Sequence, residues 1–268
     1  MTPWLELCRD AVEDVRAVLE ELPTRETREP IMGAGEGGDD TTAIDAAAEA
    51  AIVERLRQLH ERGIDFTLVS EELGERSFGG GSTRIVVDPI DGSVNSKRGI
   101  PFFSFSLAAA EGTVMDDVVF GYVYDFGSGE EWTAERGQGA WLNGHELGGV
   151  GPKDEIEILS FEATLTTLIA DRVEAFRGLA ERIRVMGSLA LSLCHLAAGR
   201  VDAVCSLKPA RAVDIAAAQL LIRECGLAID LPEAAPFGQA PLDAAGRSRV
   251  VAAATPDRCR QLMDALVA

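Results

Sequence analysis

The segment Arg84-Ile-Val-Val-Asp-Pro-Ile-Asp-Gly-Ser93 sets two carboxylates, Asp88 and Asp91, on either side of a proline turn. An apolar strand ends at Asp88, and Pro89 turns the chain because its ring fixes φ and removes a backbone donor. Two carboxylates with the Ile90 carbonyl between them suit a hard divalent cation, which takes several oxygen ligands at once. At Gly92 and Ser93 a fresh turn would leave backbone N–H groups pointing outward, a nest that favours an anion such as phosphate. An Asp-Pro turn with an Asp-Gly hairpin tip has the same local pattern, so the chemistry depends on which other acids join the pair.

Three further segments supply candidates. The strand Phe66–Val69 runs into Ser70-Glu71-Glu72, which puts carboxylates at a strand's C-terminal end, where open sheets place their sites; a solvated loop would look the same. Asp214 opens Asp214-Ile-Ala-Ala-Ala-Gln219 behind Arg211, where a helix cap is the competing role. Asp45 and Glu49 share one helix face at i, i+4, where like charges repel. Unless exposed, Asp45 therefore needs a hydrogen-bond donor. Cys194-His195 lies on an apolar helix and reads as packing, since no His or Cys partner has zinc spacing. The three histidines are too dispersed for a triad.

The elements that must carry these residues follow from periodicity. Thr2-Pro3 reads as an N-cap and first helical residue, and Trp4 to Leu22 recur at helical spacing. A loop with Gly33, Gly35, Gly37 and Gly38 leads to Asp39-Asp40-Thr41-Thr42 and a second helix from Ile44 to near Gly63. Strand patterns follow at Phe66–Val69, Ile85–Val87, Phe103–Ala109, Val118–Tyr124 and Glu131–Glu135, the last three forming an antiparallel meander closed by Asn143-Gly144. After Gly151-Pro152 the pattern alternates: strand Ile156–Ser160, helix Asp171–Arg182, strand Ile183–Val185, helix Ser188–Ala198, strand Val201–Ser206, helix Val213–Cys225, strands Leu227–Ile229 and Arg249–Ala253, and a helix from Pro256. This is an α+β chain in stacked layers. The composition shift near 150 divides it into residues 1–150, N-terminal helices with an antiparallel sheet, and 151–268, a C-terminal alternating part, within one compact unit.

Composition narrows the partners. The 44 Asp+Glu against 25 Lys+Arg leave −19 on 268 residues, and only Lys97, Lys153 and Lys208 are lysines. Nucleic acid and anionic membranes call for clustered basic residues, so neither is expected, whereas cations are. A GC-rich genome or a salt-adapted cytoplasm would account for dense surface carboxylates. Cys8, Cys194, Cys205, Cys225 and Cys259 are scattered without CxxC spacing, as for buried thiols in a reducing compartment. The N-terminal segment lacks the basic and apolar regions of a signal peptide, and no run reaches the length of a membrane span. A cytoplasmic location is expected.

In their order along the chain, Asp39–Asp45 with Glu49, Glu71-Glu72, Asp88-Pro-Ile-Asp-Gly-Ser93, Gly99-Ile-Pro-Phe-Phe103, Gly139-Ala-Trp-Leu-Asn-Gly144, Gly187-Ser-Leu-Ala-Leu191 and Asp214-Ile-Ala-Ala217 resemble the inositol monophosphatase family, including archaeal-type enzymes that also act on fructose 1,6-bisphosphate. The resemblance implies a layered αβαβα sandwich, a homodimer and two or three Mg²⁺ ions. Glu71, Asp88 and the Ile90 carbonyl would hold one ion, and Asp88, Asp91 and Asp214 a second. Glu71 would also help hold a third. Ser93 and Glu71 would position a metal-bound water, with Asp45 hydrogen-bonded to Ser93. Phosphate would lie on the amides near Asp91, Gly92 and Ser93, with Arg184, Arg211, Ser188 and the Leu189 backbone contacting the rest of the substrate. That implies a phosphatase of small phosphorylated sugars or polyols. A 3′-phosphoadenosine 5′-phosphate phosphatase and a non-catalytic regulatory or scaffold member are the alternatives. Two departures from the animal-type pattern are the missing lysine in the loop before Asp39 and Leu207 in place of a glutamate that contacts inositol. The first bears on the third ion and the second on inositol selectivity, while the sequence Arg211-Ala-Val-Asp214 leans toward the archaeal bisphosphatase type.

Overall fold

Apolar residues at helical spacing give the first layer of a computed structural model that describes residues 3–36, 40–162, 165–234 and 236–267. Thr2, Gly37, Gly38 and Asp39 lie outside the described residues. Helices α1 (Pro3–Glu21) and α3 (Ala43–Glu61) join through Cys8, Val12 and Val15 on one and Ile44, Ala48, Ile52 and Leu56 on the other. Between them come the single turn α2 (Arg25–Arg28) and a hairpin of β1 (Ile31–Ala34) and β2 (Asp40–Thr42).

Seven strands follow in the order β3 to β9: β3 (Phe66–Ser70), β4 (Gly74–Asp91), β5 (Ser104–Ala110), β6 (Val118–Asp125), β7 (Glu131–Glu135), β8 (Gly139–Leu142) and β9 (His145–Glu146). The expected antiparallel meander runs from the second half of β4 through β9. Its last turn is Asn143-Gly144, with φ of 51° and 75°, the two left-handed residues that a two-residue hairpin needs. At the other edge β4 flanks β3 on both sides. Gly74 to Phe78 run against it, and Arg84 to Val87 run parallel to Thr67 to Ser70. A short helix, α4 (Ser93–Arg98), joins β4 to β5.

The C-terminal part forms a second, mixed sheet in the order β11-β10-β12-β14-β13, from β10 (Ile156–Glu162), β11 (Ala180–Arg184), β12 (Ala203–Ser206), β13 (Ala228–Asp230) and β14 (Val251–Ala253). Its helices are α5 (Thr166–Arg172), α6 (Leu189–Ala197), α7 (Ala212–Glu224) and α8 (Pro256–Val267). The helix expected over Asp171–Arg182 does not form. The helical stretch stops at Arg172, a 3₁₀ turn covers Val173–Phe176, Gly178 takes φ 80°, and Ala180–Arg184 pairs in parallel with β10. A left-handed glycine and a waiting strand edge outweigh the local helix propensity.

Three apolar clusters fix the layering as the expected αβαβα sandwich. One joins α1 and α3 to one face of the seven-stranded sheet. A second joins the opposite face of that sheet, with Val69, Val86, Val123 and Trp132, to α6 and α7 and to Val204 and Ala252 of the second sheet. A third joins Leu159, Phe161, Cys205 and Val251 to α8. Helix α7 therefore lies mid-sandwich and is buried along Ile215–Ile222, as an all-round apolar helix should be. It sits on a row of small residues, since Ala108 pairs with Gly121, Gly121 with Ala134, and Ala134 with Ala140 across four strands. That row lets the start of α7, and with it Asp214, come close to the sheet.

Candidate metal and phosphate site

The C-terminal ends of β3 and β4, the start of α4 and the start of α7 open onto one cavity of about 540 Å³, within the range of small-molecule sites. Asp45, Glu71, Asp88, Ile90, Asp91, Gly92, Ser93, Leu189, Arg211 and Asp214 all line it. Residues far apart in the chain, Glu71 to Asp214, are thus brought together around one cavity.

Each acid is held by a local device. Asp88 ends the apolar run of β4, is 1% exposed, and its Oδ1 accepts the Ile90 N–H at 2.9 Å. Asp91 Oδ2 accepts from the Ser188 hydroxyl and from the Ala190 N–H at 2.9 Å, at the first turn of α6. Asp214 Oδ2 accepts the Arg211 N–H at 2.7 Å, so it caps α7 and faces the cavity at once. Glu71 Oε1 receives Arg211 Nη2, which also lies 3.2 Å from Asp214 Oδ1. Gly92 has φ 98°, and a Cβ there would meet the Gly187 and Phe102 carbonyls at 3.0 and 3.2 Å. Only glycine fits that turn.

Three expected details differ. Asp45 does not bond Ser93: its Oδ2 accepts from Thr42, N–H and hydroxyl alike, because it stands at the third position of α3 and caps that helix. Ser93 Oγ instead donates to the Ile90 carbonyl at 3.1 Å. Ser188 does not line the cavity; it is 1% exposed and serves Asp91 from beneath. Arg184 is exposed at the end of β11, bonds the Ile183 carbonyl and does not line the cavity.

Sequence reading missed Glu162, a buried carboxylate of the cavity wall that accepts from the Ser192 hydroxyl (2.6 Å), the Ser160 hydroxyl (3.0 Å) and the Gly187 N–H (3.0 Å). It anchors the turn that carries Ser188. Its signal was present: like Glu71, it follows an apolar strand at its C-terminal end. Asn95 is a second omission, its Nδ2 tying the Phe102 and Met186 carbonyls at 2.8 Å each.

The cavity's electrostatics fit divalent cations. Its lining carries eight carboxylates, Asp40, Asp45, Glu71, Glu72, Asp88, Asp91, Glu162 and Asp214, against Lys97, Lys208, Arg211 and Arg247. Burial raises Asp88 well above the usual carboxylate range, with Glu71, Asp91 and Asp214 adding repulsion. Burial likewise lifts Glu71 to about 7 against the pull of Arg211, and Asp91 to about 7 against its Ser188 bond. Carboxylate oxygens this crowded suit a hard divalent ion. Another grouping, Asp125, Glu130 and His195, also brings possible ligands together. There Asp125 already accepts from Gly127 and Ser128, Glu130 is paired through both oxygens with Arg200, and His195 packs on Phe102 and Trp132.

A pH effect follows. In the metal-free protein Glu71 and Asp91 titrate near 7 in the folded state but near 4 when unfolded. The folded state then binds more protons between those values, so metal-free stability falls as pH rises from about 4 through about 7. Bound metal excludes those protons. Melting temperature in chelator should thus be higher at pH 5.5 than at pH 8, and Mg²⁺ affinity lower. Pale or reversed trends in both titrations would contradict the assignment of these two carboxylates.

With this geometry in hand, the chain's relatives are informative. The Archaeoglobus fulgidus fructose-1,6-bisphosphatase/inositol-1-monophosphatase is 32% identical over 255 residues, 93% of this chain and 92% of its own. The Escherichia coli Nus factor SuhB is 34% identical over 250 residues, 90% of this chain and 91% of its own. Among solved structures, the MJ0109 gene product, an inositol monophosphatase-fructose 1,6 bisphosphatase, superposes with a TM-score of 0.83 at 26% identity, covering 98% of this chain and 100% of the other. Residues 4–266 match the inositol monophosphatase family, and the chain belongs to it.

Proposed function

We propose that this phosphoric monoester hydrolase uses Mg²⁺ to release phosphate from small phosphorylated sugars or polyols, with fructose 1,6-bisphosphate and inositol 1-phosphate as leading substrates. The observation that carries the reading is the convergence of Glu71, Asp88, Asp91 and Asp214 in one cavity beside the opening residues of α4. Glu71, Asp88 and the Ile90 carbonyl would hold one ion, Asp88, Asp91 and Asp214 a second, and Glu71 would share in a third. Such ions lower the pKa of an attacking water and stabilise the leaving oxygen of an in-line displacement.

The chain's own residues do the rest. Gly92 and Ser93 offer the phosphate main-chain N–H groups that the first turn of a helix leaves unused. Glu71 and the Ser93 hydroxyl hold the water for attack, and no covalent phosphoenzyme is needed. Lys97, Lys208, Arg211 and Arg247 bring positive charge to the substrate's anionic side; two of the chain's three lysines are in this cavity. The Archaeoglobus fulgidus relative and the MJ0109 gene product both carry the two activities in their names, which supports the pair of substrates. We further read the chain as a cytoplasmic homodimer with an acidic, salt-tolerant surface; no helix among the described residues is long and apolar enough to cross a membrane.

The test is phosphate release from fructose 1,6-bisphosphate, inositol 1-phosphate and 3′-phosphoadenosine 5′-phosphate, with Mg²⁺ or with chelator, at low and molar KCl. Metal-dependent release is expected from the first two, above the third, and KCl should raise the melting temperature. Release from none would favour the non-catalytic regulatory or scaffold member instead. Preference for the adenosine bisphosphate would replace the substrate class.

A further inference from the structure

Arg211 stands where the metal ions would otherwise have to. Its side chain is 13% exposed, and one nitrogen, Nη2, is shared between Glu71 Oε1 and Asp214 Oδ1. Asp88 lies close enough to add to the field on the guanidinium. The arginine therefore bridges two carboxylates assigned above to different ions and partly offsets the repulsion among four. Buried carboxylates without such a partner are costly, so the metal-free fold depends on this contact. Divalent ions entering the same carboxylates would take the oxygens that Nη2 now uses. They would also place strong positive charge beside a guanidinium, which like charge disfavours there.

We propose that Arg211 is the resident counter-cation of the metal-free site, displaced from Glu71 and Asp214 by the incoming ions and thereby released to the anionic substrate. One side chain then couples metal loading to substrate binding: the contact that opposes the metal becomes, after its displacement, one that favours the phosphorylated ligand. The inference rests on the metal-ligand roles of the proposed function. Its signature is a pair of opposite shifts, because a residue that merely props up the ligands would weaken metal and substrate binding together.

The experiment uses the full chain and Mg²⁺ alone, by calorimetry, with melting temperature in chelator and KM for the best substrate of the panel. For Arg211→Gln, Mg²⁺ binding should tighten about tenfold, the size of one charge-assisted hydrogen bond no longer competing. The metal-free melting temperature should fall and KM should rise. Arg211→Lys keeps the charge but loses the shared guanidinium contact, so its Mg²⁺ binding should lie between the wild-type value and one tenfold tighter, with smaller changes in the other two readouts, which covers the case in which the neutral variant does not fold. Unchanged or weaker Mg²⁺ binding in Arg211→Gln, or Mg²⁺ binding in Arg211→Lys outside that interval, would overturn the inference. Asp88→Asn separates the two levels: if it binds Mg²⁺ like wild type, the ligand assignment fails, whereas lost binding there without tightening at Arg211 defeats this inference alone.

Discussion

Asp88→Asn is expected to cut Mg²⁺-dependent turnover at least about 10³-fold, beyond the roughly 10–100-fold typical of losing a group that only supports a metal ligand. Asp88 is the one side chain assigned to both principal ions, so a single lost charge weakens both. The substitution is close to isosteric, and an asparagine Oδ1 can still accept the Ile90 N–H that Asp88 accepts at 2.9 Å. The turn should therefore survive, and the loss should be electrostatic. A second readout moves the other way. Burial, Glu71, Asp91 and Asp214 all act against a charged Asp88, so a neutral residue should raise the melting temperature in chelator at pH 8 while abolishing the rise that Mg²⁺ gives wild type. Near-normal turnover, or an intact Mg²⁺-induced shift, would sink the mechanism.

Asp88 also shows what a sequence can reveal about a site. Its position was legible because three local signals coincide: an apolar run that must be a buried strand, a proline that must turn, and a Gly-Ser pair that opens a fresh turn, where Gly92 takes φ 98°. Glu71 and Asp214 were legible as candidates but each had an ordinary competing role, and for Asp214 that role turned out to be compatible with the other, since it caps α7 and lines the cavity. What stayed hidden was the direction of side chains that tertiary packing decides. Arg184 and Ser188 sit next to the cavity in sequence terms, yet one turns outward from an edge strand and the other goes beneath Asp91. Glu162 carried a signal in its place at the end of an apolar strand, but its burial depends on α6 packing over β10, which no local pattern shows. The helix expected across Gly178 failed because a strand's partner, β10, lies some twenty residues back in the chain, outside any local window.

The acidic balance separates in the same way. Eight carboxylates line the cavity, where divalent ions would offset them. Many of the remainder are surface partners of arginine, as in Arg57 with Glu54 and Arg25 with Glu29. Exposed pairs of that kind add little stability each, so the surface charge bears on solubility in salt more than on the fold.

Gly121→Val should be damaging although it lies outside the cavity. Strand alternation puts Tyr122 on the α1/α3 face of the sheet and Gly121 on the α7 face. A Cβ at Gly121 would lie 2.5 Å from the Ala217 carbonyl oxygen and 3.2 Å from its carbonyl carbon. These are backbone atoms of a buried helix, so no side chain can swing away, and neighbouring Ala108 and Ala134 offer no spare depth beyond the row they form. Overpacking a core costs about 1–3 kcal/mol, and an obstructing backbone puts valine at the upper end. At 2–4 °C per kcal/mol for a chain of this size, the melting temperature should drop by roughly 6–12 °C. Because Ala217 is three residues from Asp214 on the same helix, pushing α7 off the sheet also moves an assigned metal ligand. Mg²⁺ binding should weaken with stability, and Gly121→Ala should fall between. A Gly121→Val protein with wild-type melting temperature and Mg²⁺ affinity would show that α7 does not depend on this row for its place.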